Sequence, residues 1–249
     1  MYNILVLGFI KIGGETKMKK FLAALLILVL AMTGVVSAMA EDEVKVMTYE
    51  EFAAAELDSE VVVECYVQGY QGLYKGCIRV YAADENGGYY LYDMPTTEED
   101  VAKMVPGTKL RVTGVKAAWA GEVEITEATY EFLEADPFIA EAKDLTEVLA
   151  NAEELIKFQN QLASFKGLTF VKLEYQNGGA GAWNDIYVTF EKDGAEYSFC
   201  VESSLTEFGS DLYTAVGELK AGDVVDVTGY VYWYNGVNTH ITTVVPAAK

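Results

Sequence analysis

Apolar and polar residues alternate along most of this chain in runs of six to ten. Val61, Val63, Cys65 and Val67 share one side of the run Val61–Gln68, the period-two pattern of a half-buried strand. Further strands are expected near Cys77–Ala82, Tyr89–Met94, Lys109–Val115 and Val123–Phe132. Arg79-Val80-Tyr81 leads through Asp84-Glu85-Asn86-Gly87-Gly88 into Tyr89-Tyr90-Leu91-Tyr92. Tyr187-Val188-Thr189-Phe190 leads through Lys192-Asp193-Gly194 into Tyr197-Ser198-Phe199-Cys200. Gly- and Asp-rich turns between such runs mark hairpins. Helical signals are fewer. Thr48-Tyr49-Glu50-Glu51 forms a capping box, with Met47 and Phe52 placed as a hydrophobic staple. Thr96 with Glu99 starts a second helix, and Ser210 caps a third whose Leu212, Val216 and Leu219 recur at helical spacing. Asp144–Lys166 keeps that spacing through Leu145, Val148, Leu149, Leu155, Ile156, Phe158 and Leu162, which predicts one linking helix.

The pattern occurs twice. Residues 107–121 read GTKLRVTGVKAAWAG and residues 222–236 read GDVVDVTGYVYWYNG, and five identities fall at a common offset of 115. Each copy reads strand, strand, strand, short helix, strand, strand, which is the order of an OB-fold barrel; another small barrel or a sandwich is the alternative. The expected fold is therefore all-β with accessory helices: two tandem five-stranded OB-like barrels, each preceded by a helix. The expected boundaries are a leader and signal peptide over 1–40, a first barrel with its N-terminal helix over 41–136, a helical linker over 137–166, and a second barrel over 167–249. Because each copy holds a full set of strands, residues 165–249 are expected to fold independently.

The N-terminal composition changes the picture of location. From Met18 the chain has two lysines, an apolar run and Ala38-Met39-Ala40 before Glu41, the layout of a secretory signal with its cleavage site. An uncleaved anchor is the alternative. Met18 reads as the true start. Residues 1–40 hold four of the 18 basic and one of the 38 acidic residues, leaving 14 and 37, a formal charge near −23. Such a surface repels polyphosphate, so nucleic acid is not an expected partner. After cleavage no membrane attachment is expected, and the protein is read as secreted and extracellular.

Candidate chemistry is sparse. His240 is the only histidine, and three scattered cysteines give no zinc-ligand spacing. His240 reads as an ordinary strand histidine near a barrel mouth. No catalytic residue, metal or cofactor is expected. Asp84-Glu85-Asn86-Gly87 is too short for a twelve-residue calcium loop and reads as a turn. Asn177-Gly178-Gly179-Ala180-Gly181 lacks the helix that a phosphate loop needs and reads as the loop between the first two strands of the second barrel. A hairpin turning within Gly69-Tyr70-Gln71-Gly72 would bring Cys65 and Cys77 opposite each other, although their strand parities point them to opposite faces.

The candidate binding residues lie in Tyr230–Asn235, YVYWYN. Val225, Val227, Val231 and Trp233 share one strand face; Asp226, Thr228, Tyr230, Tyr232 and Tyr234 share the other. The polar pair marks the second face as the wet one. Tyr230, Tyr232 and Tyr234 then form an outward stacking surface, unless the helix Asp144–Lys166 covers them. Asn235-Gly236 follows as a tight turn.

MTYEEF, VVVECYVQGYQ, YYLYDMP and PGTKLRVTGVKAAWAGEVEI, with LIKFQNQLASFKGLTF and GYVYWYNGVNTHIT as a second copy, resemble tandem OB-fold-like modules of secreted proteins from gut Firmicutes. The resemblance covers nearly the whole mature chain. It implies fold and location and transfers no site. The expected function is a non-catalytic binding module whose extracellular ligand is a glycan, a peptide or a partner protein. The alternatives are an extracellular hydrolase using carboxylates alone and single-stranded nucleic-acid binding.

Overall fold

The computed structural model describes residues 45–247. The expected signal peptide lies outside the described residues. Among the described residues no helix is long and apolar enough to cross a membrane.

Helix α1 (Tyr49–Ala54) starts at the expected capping box: Thr48 accepts from the Glu51 amide, and the Glu51 side chain accepts from the Thr48 amide. Strands β1 (Glu60–Tyr74), β2 (Cys77–Ala83) and β3 (Gly88–Pro95) precede helix α2 (Glu98–Val101), and β4 (Lys109–Trp119) and β5 (Glu122–Leu133) follow it. They close a barrel in the order β1-β2-β3-β5-β4. Only the β3–β5 pairing, at Leu91 and Ile125, is parallel. The alternation read from β1 is observed: Val61, Val63, Cys65 and Val67 are all buried in one core with Phe52, Leu91 and Ile125. The cap of α2 is Thr97, one residue beyond the expected Thr96.

Lys116 on β4 joins α1 to this barrel. It is 5% exposed, and its Nζ donates to the carbonyls of Phe52, Ala53 and Ala55 at 2.9, 2.9 and 2.8 Å. Those oxygens lie at the end of the helix, where the carbonyls of Ala53 and Ala55 have no helical partner and that of Phe52 has only the Ala55 amide at 3.2 Å. Burial pushes the lysine's pKa down. Lys116→Met is expected to destabilise the chain by about 1–3 kcal/mol in denaturant unfolding, the cost of leaving buried acceptors unmade; an unchanged midpoint would show that water can replace the ammonium.

The first hairpin does not turn within Gly69–Gly72. Strand β1 runs on to Tyr74, and the turn is Lys75-Gly76 with φ of 52° and 80°, both left-handed as a type I′ turn requires. Tyr74 therefore faces Cys77 while Tyr66 faces Ala83. Cys65 and Cys77 sit at opposite ends of the hairpin, and both thiols are free.

The predicted helix Asp144–Lys166 does not form. That stretch holds β6 (Lys143–Asp144), a 3-10 turn over Thr146–Val148, helix α3 (Ala152–Leu155) and a second 3-10 turn over Ile156–Phe158, and β7 (Leu162–Tyr175) already begins within it. The apolar spacing was real, since Leu145, Leu149 and Leu155 all reach the second core. Asn151 stops the first turn by capping α3 through its side chain. Gln159, Asn160 and Gln161 then leave the helical path because they are buried against other elements.

The remaining elements are β8 (Ile186–Lys192), β9 (Ala195–Val201), α4 (Asp211–Glu218, capped by Ser210 as expected), β10 (Val224–Tyr230) and β11 (His240–Pro246). The sheet order is β10-β11-β9-β8-β7-β6, and β10 also pairs with β7. Apart from the added β6, this is the circuit of the first barrel, with a parallel β9–β11 closure at Cys200 and His240. The fold is thus two OB-like barrels in tandem, each with its own apolar core. A third cluster, centred on Tyr81, Tyr90 and Tyr230, joins residues of both.

Candidate binding cleft between the barrels

The YVYWYN stretch lies at the seam. Regular pairing ends at Tyr230, and Val231 then exchanges backbone hydrogen bonds with Asn160 and Gln161. Val231 and Trp233 enter the second core, as their parity predicts. Trp233 pairs with Val237, so the turn spans Tyr234–Gly236 rather than the two residues expected. The stretch is tied to the first barrel. The Trp233 amide donates to Glu122 Oε2 at 2.7 Å, and the Asn235 amide donates to the Ala120 carbonyl at 2.7 Å. The Trp233 ring lies so close to Gly121 that a Cβ there would be 2.6 Å from Trp233 Cδ1; φ at Gly121 is +95°, and both facts require glycine.

The three tyrosines do not form one outward surface. Tyr230 is 6% exposed and stacks on Tyr81 of β2, with centroids 4.1 Å apart and planes 5° from parallel. Tyr232 is half-buried; it stacks on His240 at 4.2 Å and meets Tyr90 edge-on at 5.7 Å. Only Tyr234 is largely exposed, at 54%, with Trp119 of β4 edge-on at 5.9 Å. The rings that cover Tyr230 and Tyr232 include Tyr81 and Tyr90 of the first barrel and His240 of the second, and Leu162 of the segment 144–166 packs against the same cluster, though not as a helix. Tyrosine carries an apolar ring and a polar tip, so alternation did not separate a face that meets water from one that meets a second barrel.

Tyr232 and Tyr234 line a cleft of about 340 Å³ whose walls come from both barrels. Tyr230 lies outside it and borders a separate groove beside residues 138–143. The first barrel contributes Arg79, Tyr92, Trp119 and Glu124; the second adds Asp185, Tyr187, Cys200, Glu202 and His240. Arg79 lies 4.7 Å from the Tyr92 ring centroid and its Nε donates to Asp93 at 2.8 Å. Burial raises the pKa of Glu124 and of Glu202. Glu202 accepts from the Ser204 hydroxyl at 2.9 Å.

His240 opens strand β11, in a strand as expected, but it is buried and bonded across the seam. Its Nδ1 is 2.6 Å from the Tyr81 hydroxyl of the other barrel. Burial, with Arg79 adding to it, lowers its pKa to about 3, so the imidazole is neutral at physiological pH. Burial also pushes the Cys200 thiol well above its ordinary value. The β9–β11 closure brings His240 beside Cys200, and ligand atoms of Cys200, Glu202 and His240 all lie within 4.8 Å of one another. The thiol and the imidazole are forty positions apart in sequence, so no local motif joins them. The barrel order was the available signal, since the third and fifth strands must be neighbours to close it.

No protein-family model matches the chain, and no curated protein does. Among solved structures, a murine DNA-binding protein bound to double-stranded DNA aligns over 76% of this chain and 97% of its own, with 9% identity and a TM-score of 0.36. The Ifi202 HINa domain in complex with a 20 bp double-stranded DNA aligns over 76% of this chain and 100% of its own, with 10% identity and a TM-score of 0.34. Likeness at this level says nothing about what the present chain binds.

Proposed function

We propose that the protein is a secreted binding module and that a glycan occupies the cleft between its barrels. One observation carries the reading: Trp119 and Tyr234, from different barrels, are both about half exposed, and they meet beside a cleft that also holds Glu124 and Glu202. Such a surface suits a sugar ring, whose apolar face rests on aromatic rings while its hydroxyls donate to carboxylates. The cleft joins aromatic walls to convergent polar groups, which fix the orientation of a small ligand. The net charge supports a neutral ligand over a nucleic acid. The reading of secretion rests on the leader sequence.

A glycan array followed by calorimetry tests the reading. Trp119→Ala and Tyr234→Ala are each expected to weaken binding by about 1–3 kcal/mol if the sugar stacks as a base does on an aromatic ring. Unfolding midpoints should stay near that of the native chain, because both side chains are half exposed. Glycan affinity unchanged in both variants would sink the proposal. So would tight duplex or single-stranded DNA binding with a steep salt dependence, in place of glycan binding.

A further inference from the structure

Beyond that reading, and independently of it, we infer that Cys200, Glu202 and His240 form a binding site for a divalent ion of the zinc type. The donor set is one thiol, one carboxylate and one imidazole, on the adjoining strands β9 and β11 and the residue just after β9. Bond lengths of about 2.0–2.3 Å put neighbouring ligand atoms of a tetrahedral zinc site roughly 3.5 Å apart. The three atoms, already within 4.8 Å of one another, must close by about an ångström. Glu202 is half-buried and has the side-chain freedom to do so, whereas the other two are fixed by their strands.

The surroundings match such a site. A ligating histidine usually has its second ring nitrogen held by a partner, which fixes the tautomer and the ring plane. Tyr81 Oη, 2.6 Å from Nδ1, fills that role in the tautomer whose Nδ1–H donates to it, and Nε2 is then the nitrogen that takes the ion. Tyr232, stacked 4.2 Å over the ring, holds the same plane from the other side. Sulfur and imidazole donors select zinc-like ions over calcium or magnesium, which take oxygen ligands. All three residues border the cleft, so the ion has a way in and a fourth position free for water or ligand. The ion takes the sulfur as thiolate, so binding displaces the proton of the Cys200 thiol, which passes to solvent. Tyr81 is a positioning residue here, since it acts through His240.

The test uses the full chain stripped of metal with a chelator. Zinc is titrated by calorimetry, and cobalt by its thiolate charge-transfer absorption. One equivalent of each is expected to bind, with the thiolate band present. Cys200→Ser should abolish the band, while Cys65→Ser and Cys77→Ser should keep it. Glu202→Gln should weaken zinc binding and remove the rise in melting temperature that zinc gives the native chain. Tyr81→Phe keeps the stacked ring and should weaken zinc about 10–100-fold with the cobalt band retained. Failure to bind stoichiometric zinc would overturn the inference, as would a cobalt band that survives Cys200→Ser or zinc affinity indifferent to Glu202→Gln. None of these readouts needs a glycan, so the two proposals fail separately.

Discussion

At pH 8 the Glu122→Gln protein should be more stable than the native chain, by up to about 4 kcal/mol, and near pH 4.5 the two should be nearly equal. Glu122 is fully buried at the seam, and burial, only partly offset by the Trp233 amide and Asn160, pushes its pKa up to about 8. A carboxyl raised above its unfolded value of 4.5 is protonated in the folded chain while the unfolded chain ionises. Between pH 4.5 and 8 the folded state therefore holds the extra proton, and stability falls as pH rises, by at most about 1.4 kcal/mol per unit. Above pH 8 both states are ionised and the loss levels off. The proton also resolves a local shortage of donors. Glu122 Oε1 and Asn160 Oδ1 are both buried without a partner, and a carboxyl protonated at Oε1 can donate to Asn160 Oδ1. Glutamine copies that arrangement permanently, since its oxygen can accept from Trp233 and its amide can donate to Asn160. Urea unfolding of both proteins at the two pH values decides it. Equal destabilisation by glutamine at both would mean that the buried group is ionised when folded.

Truncations along YVYWYN should fall into two groups. Trp233→Ala and Tyr230→Ala should each cost about 3–5 kcal/mol, as buried aromatic truncations do. Tyr234→Ala should stay within about 0.5 kcal/mol, the range for exposed positions. Trp233 fills the second core and leans on Gly121; Tyr230 loses its stack on Tyr81. Strand parity alone puts Tyr230 on the wet face with Tyr234 and predicts little loss for either. Unfolding free energies of the three variants test the difference, and a near-neutral Tyr230→Ala would mean that the two barrels do not pack through this ring.

The elements that were legible in the sequence share one property: their burial is decided within a single barrel. Val61, Val63, Cys65 and Val67 alternate because one side of β1 meets its own core. Thr48 and Ser210 were legible because a cap needs only its own first turn. The larger failures lie where the two copies meet. Gln159, Asn160 and Gln161 look like the polar side of a helix. Instead Gln159 Nε2 donates to the Gly121 carbonyl at 2.6 Å and Asn160 Nδ2 to the Val123 carbonyl at 3.0 Å, closing off the edge of the other barrel. Tyr81 and Tyr90 carried no signal, since a tyrosine on an outer barrel face is ordinary in isolation. His240 was named, but its setting depends on a strand closure and on a hydroxyl 159 positions away.

If the proposed ligand rests on Trp119 and Tyr234, its occupancy is coupled to the docking of the two barrels. Whatever rests on both rings bridges the barrels, and it binds only while they are docked. By mass action such a ligand adds RT ln(1 + [L]/Kd) to the free energy of separating them. Saturation should therefore make the two halves melt together, and any lesion that loosens Gly121 against Trp233 should lower affinity without touching the ligand.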